Sequence, residues 1–108
     1  MKKLLIKGIN KNYKVIIKND LLNDLTTYYN TNKKVLLLSD DNIPNSYKDS
    51  VKAQYNVTCS VILKHGEKSK NYKNVLKVIN TLLTNNFNKD DVIIALGGGV
   101  ILDIASLI

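Results

Sequence analysis

The chain has 108 residues, of which 44% are hydrophobic and 23% charged, and its formal net charge is +7. That size and balance suit one globular domain whose core needs neither disulfide nor metal. The single cysteine, Cys59, excludes an internal disulfide and suits a reducing, cytoplasmic setting, while Lys7 breaks the apolar start Leu4-Leu5-Ile6 too soon for a signal peptide or membrane span.

The charge does not point to a nucleic acid. All sixteen basic residues are lysine, scattered in ones and twos, and none is arginine, the residue suited to bidentate contacts with bases and phosphates. Fifteen asparagines and twelve isoleucines accompany them. All three types have A/T-rich codons, so a genome of low G+C content accounts for the bias without a partner. Neither a nucleic-acid nor a membrane partner is expected.

In chain order, Leu4-Leu5-Ile6 and Tyr13 to Ile17 are β-favouring runs around the polar segment from Gly8 to Asn12, which predicts an N-terminal hairpin. Asn19 or Asp20 is expected to cap a helix to about Tyr29, with Leu21, Leu22 and Leu25 on one face. Lys34 to Ser39 contains Val35-Leu36-Leu37-Leu38, the signature of a strand buried on both faces, and runs into Ser39-Asp40-Asp41-Asn42. Pro44 suits a helix's first turn, with Val51 and Tyr55 on its apolar side. Val57 to Leu63 reads as the next strand, with Cys59 as a small buried hydrophobe. After the loop from Lys64 to Lys70, Tyr72, Val75, Leu76, Ile79, Leu82 and Leu83 follow a helical period, with Ser69 as the expected N-cap. The run from Val92 to Leu96 is another buried strand, and Gly97-Gly98-Gly99 follows it directly.

Strands and helices alternate after the hairpin, which predicts an α/β domain: a Rossmann-like parallel sheet, flanking helices and an N-terminal β-hairpin, spanning 1–108 as one unit. Ligands of such sheets bind beyond the carboxyl ends of the strands. Three polar loops leave those ends: Ser39 to Asn42, His65 to Lys70, and Gly97 to Gly99. The glycine turn is expected to use positive φ and to bring backbone N–H groups to an anion at a helix start. Each loop also admits a purely structural account. Asp40 and Asn42 suit an Asx-turn or cap, Glu67 and Lys70 an exposed pair at a helix entrance, and Asp103 a polar site in a first turn. Asp41 is assigned to capping or solvent, and His65, with no partner histidine, to the loop.

Gly66-Glu67-Lys68-Ser69-Lys70 before a helix, and Ile94-Ala95-Leu96-Gly97-Gly98-Gly99-Val100-Ile101-Leu102-Asp103 after a strand, carry a resemblance to the 3-dehydroquinate synthase family. Ser39-Asp40-Asp41-Asn42-Ile43 agrees with it, and order and spacing match that family's amino-terminal NAD-binding domain over essentially the whole chain. The resemblance implies the conversion of 3-deoxy-D-arabino-heptulosonate 7-phosphate to 3-dehydroquinate with loss of phosphate, in the shikimate route to aromatic amino acids. NAD acts there as a transient hydride acceptor, with a divalent metal, zinc or cobalt.

Carried over by position, Asp40 and Asn42 meet the adenosine side of NAD. Glu67 and Lys70 hold the ribose and nicotinamide end, and Gly66 keeps that turn tight. Gly98 and Gly99 meet the pyrophosphate, Val100 is counted with the cofactor-binding residues, and Asp103 faces the cofactor one turn later. No catalytic residue and no metal ligand falls within the sequence, because the family's metal and substrate ligands lie in a helical carboxyl-terminal domain. The chain is therefore expected to be an inactive fragment of a longer enzyme, with a sugar phosphate as the whole enzyme's substrate and a homodimer as its assembly. The pattern departs at Leu102, where the family has glycine and a leucine is expected to crowd cofactor or helix packing, and at Ser106-Leu107, where it has glycine and phenylalanine. Rival readings are a glycerol-dehydrogenase-like metal-dependent alcohol dehydrogenase, another sugar-phosphate cyclase, and a non-catalytic nucleotide-binding module.

Overall fold

A computed structural model of the chain describes residues 3–9, 14–18 and 24–108. Five strands form one sheet: β1 (Lys3–Gly8), β2 (Lys14–Lys18), β3 (Val35–Asp40), β4 (Val57–Leu63) and β5 (Val92–Gly97). Their order is β2-β1-β5-β3-β4. The segments β5, β3 and β4 run parallel, as the strand–helix alternation predicts. The hairpin β1–β2 joins the other side of β5 antiparallel, so the sheet is mixed. Expected hairpin and helix positions at Tyr13, Asn19, Asp20, Leu21 and Leu22 lie outside the described residues.

Four helices flank the sheet: α1 (Leu25–Tyr28), α2 (Asn45–Gln54), α3 (Tyr72–Thr84) and α4 (Gly99–Ser106). The chain moves from β3 outward to β4, then back across β3 to β5. Right-handed crossovers in opposite directions place α2 and α3 on opposite faces. The packing agrees. Leu4, Ile6, Leu37, Ile94 and Leu96 share one cluster with Val51 and Tyr55 of α2. On the other face, Leu36, Leu38, Ile93 and Ala95 pack with Val75, Val78 and Leu82 of α3 and with Ile101 and Ile104 of α4. Every residue of β3 and β5 is buried, which is why these two strands read as continuous apolar runs. No helix among the described residues is long and apolar enough to cross a membrane.

Four local expectations are corrected. Pro44 stands at the N-cap of α2, one place before the first helical residue, where its missing N–H costs nothing. The N-cap of α3 is Asn71, whose side chain accepts the Asn74 N–H at 2.9 Å; Ser69 instead lies in a 3-10 turn, Glu67–Ser69, and donates its hydroxyl to the Lys64 carbonyl. The buried face of α3 is Val75, Val78 and Leu82, with Ile79 at its margin, while Tyr72, Leu76 and Leu83 are exposed. The apolar arc of this helix is wider than the strip the sheet can cover. Cys59 is only half-buried, although burial still pushes its thiol up.

The amino edge of the sheet is closed by specific polar contacts. Asp91, buried ahead of β5, accepts the Lys34 N–H on Oδ1 and the Asn88 N–H on Oδ2. Lys34 Nζ donates to the carbonyls of Asn85 and Asn86 at the end of α3. That end is a Schellman turn, with Asn86 at φ 58° and Phe87 N–H donating to Leu82 O. Lys7 Nζ donates to Ala105 O, so α4 also ends on a lysine. Tyr55, whose phenol burial pushes up to about 12, donates its hydroxyl to the Tyr29 carbonyl and ties α2 to the end of α1.

Three substitutions test this packing by urea unfolding. Leu37→Ala should cost about 2–5 kcal/mol, the range for truncating a fully buried leucine. Gly97→Ala should cost about 1–3 kcal/mol, because the new Cβ would stand 2.9 Å from Ile101 Cγ1. Tyr55→Phe should cost about 0.5–1.5 kcal/mol, the net worth of one hydrogen bond.

Candidate functional site

The pairing of β3 with β5 ends at Ser39 and Leu96. One residue later Asp40 pairs with Leu63 of β4, and Gly97 pairs with Lys3 of β1. The two central strands therefore part at their carboxyl ends. Ser39, fully buried, donates its hydroxyl to Leu96 O at 2.6 Å and closes the apex of the fork. Beyond it β3 leads to α2 on one face and β5 to α4 on the other, the arrangement called a topological switch point.

A cleft of about 340 Å³ opens there. The loop after β3 lines it with Asp40, Asn42 and Ile43, the loop after β4 with His65 and Gly66, and the β5–α4 turn with Gly98, Gly99, Val100 and Ile101. Asp40 is only 8% exposed, and its Oδ1 accepts the Asn42 N–H at 2.9 Å in an Asx-turn. Gly66 has φ 108° and ψ 165°, a conformation essentially reserved for glycine, and a Cβ there would meet nothing. Among the described residues positive φ falls at Gly66 and Asn86, not in the triple glycine.

The three consecutive glycines divide their work. Gly97 lets the first turn of α4 approach its strand, since a Cβ would collide with Ile101. Cβ atoms at Gly98 and Gly99 would meet nothing within 4 Å, so these residues leave the floor of the cleft open. The N-cap of α4 is Gly98, which offers no side-chain cap, and the first bond within the helix is Leu102 N–H to Gly98 O at 3.2 Å. The N–H groups of Gly99, Val100 and Ile101 precede that bond and carry the positive end of the helix dipole.

Of the residues expected to bind cofactor, Asp40, Asn42, Gly66, Gly98, Gly99 and Val100 are thus gathered in one cleft. Glu67, Lys70 and Asp103 are not among the residues that line it. Glu67 is exposed at the start of the 3-10 turn. Lys70 Nζ donates to Asp103 Oδ2 at 3.0 Å, and this bond, then the charge of Asp103, holds the lysine above its usual range, with Glu67 adding a smaller part. Both side chains are about half exposed, so the pair contributes little to stability. Leu102 does not enter the cleft; it packs at the margin of the apolar cluster between α3 and the sheet.

Sequence reasoning missed one contact. Asp41, assigned to capping or solvent, accepts on Oδ1 both the His65 backbone N–H, at 2.8 Å, and His65 Nδ1, at 2.6 Å. Asp41 N–H in turn donates to Leu63 O at 2.9 Å. An ionised carboxylate only accepts, so the ring proton sits on Nδ1. The first cause of the depressed Asp41 carboxyl is this ring hydrogen bond. Only the register of β3 against β4 brings the two residues together, and no local pattern announces it.

The sequence pattern of the 3-dehydroquinate synthase N-terminal family matches residues 60–108. The 3-dehydroquinate synthase of Clostridium botulinum is 37% identical over 96% of this chain and 32% of its own length. That of Shewanella frigidimarina is 35% identical over 95% of the chain and 30% of its own length. A bifunctional 3-dehydroquinate synthase/phosphatase of Fusobacterium nucleatum is 32% identical over 87% of the chain. The chain thus spans about a third of the length of the first two relatives. In fold it is similar to 2-deoxy-scyllo-inosose synthase, solved with carbaglucose-6-phosphate, NAD+ and Co2+: the TM-score is 0.68 at 17% identity, over 97% of this chain and 30% of that one. Similarity of sequence along almost the whole chain, on a fold of the same kind, means that the chain matches the amino-terminal part of 3-dehydroquinate synthases.

Proposed function

We propose that this chain holds NAD in a 3-dehydroquinate synthase that converts 3-deoxy-D-arabino-heptulosonate 7-phosphate to 3-dehydroquinate and phosphate. The observation that carries the reading is the cleft at the switch point, with its open glycine floor and uncapped helix start. The residues there suit a dinucleotide. The N–H groups of Gly99, Val100 and Ile101 can receive the pyrophosphate, and no side chain at 98 or 99 obstructs its approach. Asp40 has Oδ1 engaged by Asn42 N–H and Oδ2 left to accept a ribose hydroxyl, with the Asn42 amide beside it. Glu67 and Lys70, which follow Gly66 in the chain, are assigned to the ribose and nicotinamide end in this reading. Reaching the cofactor requires Lys70 to leave Asp103, an exchange that costs little for an exposed pair.

When bound, NAD supplies a hydride acceptor; the chain's own residues bind it, orient it and shield one side from water. The divalent metal implied by the family resemblance finds no set of three His, Cys, Asp or Glu side chains among the described residues. The sugar phosphate substrate, a homodimer and a cytoplasmic location belong to the same proposal for the whole enzyme.

Titration with NAD, followed by amide resonances, tests the site. At millimolar NAD, shifts should concentrate at Asp40, Asn42, Gly66, Gly98 and Gly99. Gly98→Val should weaken binding at least about tenfold while leaving unfolding nearly unchanged, since the added side chain enters open space and not the core. Unmoved resonances in all three loops would sink the proposal.

A further inference from the structure

We propose that Asp41 and His65 form a proton-sensitive clasp on this cleft, in which a protonated His65 strengthens the binding of an anionic dinucleotide. The inference rests on the dinucleotide reading above and assigns a ligand-facing role to a residue outside the family motif.

Three hydrogen bonds join the loop after β3 to the loop after β4: Asp41 N–H to Leu63 O, His65 N–H to Asp41 Oδ1, and His65 Nδ1–H to the same oxygen. Asp40 and Asn42 flank one end of this clasp and Gly66 the other, so the clasp sets the spacing of two cleft walls. Asp41 itself does not line the cleft, whereas His65 does. With Nδ1 committed to Asp41, Nε2 is the ring nitrogen left for a ligand.

Charge gives the clasp its consequence. Among the side chains lining the cleft Asp40 is the acid and His65 the one group that can become a cation. From the loop after β3, His65 meets Asp41, and Asp40 lines the same cleft. Lys64, Glu67 and Lys68 neighbour it on its own loop, and the nearest acid of α4, Asp103, is already paired with Lys70. With a neutral imidazole the clasp carries one negative charge, and with an imidazolium it carries none. Protonation therefore removes one unit of repulsion against a pyrophosphate that bears two negative charges. Both side chains are about half exposed, so screening keeps the effect moderate. Asp41 does not titrate in this window. Its carboxyl is depressed, so the stability it contributes is present above the ordinary carboxylate range and is lost only as pH falls through the lowered value. Asp41 is thus ionised at both pH 6 and pH 8.

Calorimetry at pH 6 and pH 8 tests this, with NAD as the anionic probe and adenosine as the uncharged one. For the natural chain, the Kd for NAD should rise about threefold to tenfold from pH 6 to pH 8, while that for adenosine stays level. His65→Asn keeps an N–H donor near Asp41 but cannot titrate, and should abolish the NAD slope without loss of fold. Asp41→Asn should shift the His65 amide resonance. An equal slope in His65→Asn, or an equal slope for adenosine, overturns the clasp and leaves the dinucleotide reading standing. Failure of NAD to bind at either pH overturns both.

Discussion

Two strands that pair in parallel from Val35 to Ser39 separate one residue later, because each has another neighbour that runs further. Asp40 continues its ladder with β4, and Gly97 continues its own with β1. The separation is therefore set by strand length and not by any feature of a ligand. Ser39 makes it tolerable: its hydroxyl satisfies the Leu96 carbonyl in the dry apex, where an unpaired acceptor would cost on the order of 1–3 kcal/mol. Everything that distinguishes the cleft, from the Asx-turn at Asp40 to the uncapped start of α4, lies just outside that apex.

Most of the architecture could be read from the residues. Val35 to Leu38 and Val92 to Leu96 announced themselves because both faces of β3 and β5 are covered, and the loops that leave them had to reach one edge. What could not be read depends on distances along the sheet. A period identifies α3 as a helix, but only the width of the sheet decides that Val78 is buried while Leu76 and Leu83 stay exposed. The antiparallel docking of the hairpin against β5 has no local signature. The site divides on the same line. Asp40, Asn42, Gly66 and the glycine turn each follow their own strand end and were legible, whereas the Asp41–His65 contact needs the register between two strands.

The glycines show why one residue type cannot be given one reason. Only Gly66 uses a backbone conformation that other residues avoid. Gly97 is glycine because a helix passes too close for a side chain, whereas Cβ atoms at Gly98 and Gly99 would meet only open space. In the isolated fold a Cβ at either of the last two positions would be harmless.

The two edges of the sheet differ in the same sense. At the amino edge polar groups are matched: both oxygens of Asp91 accept backbone N–H groups, and Lys34 and Lys7 bring positive charge to the carbonyl ends of α3 and α4. At the carboxyl edge the N-terminus of α4 has no side-chain cap and stands over a floor without side chains. A helix of eight residues with its negative end neutralised by Lys7 and its positive end left open is an asymmetric dipole, and an anion is its natural complement. The acid nearest that opening, Asp40, is held back by its own turn, which turns one oxygen toward Asn42. The cleft thus offers backbone donors on its floor and one carboxylate, Asp40, on its wall, a combination that suits the phosphate and ribose of the proposed dinucleotide.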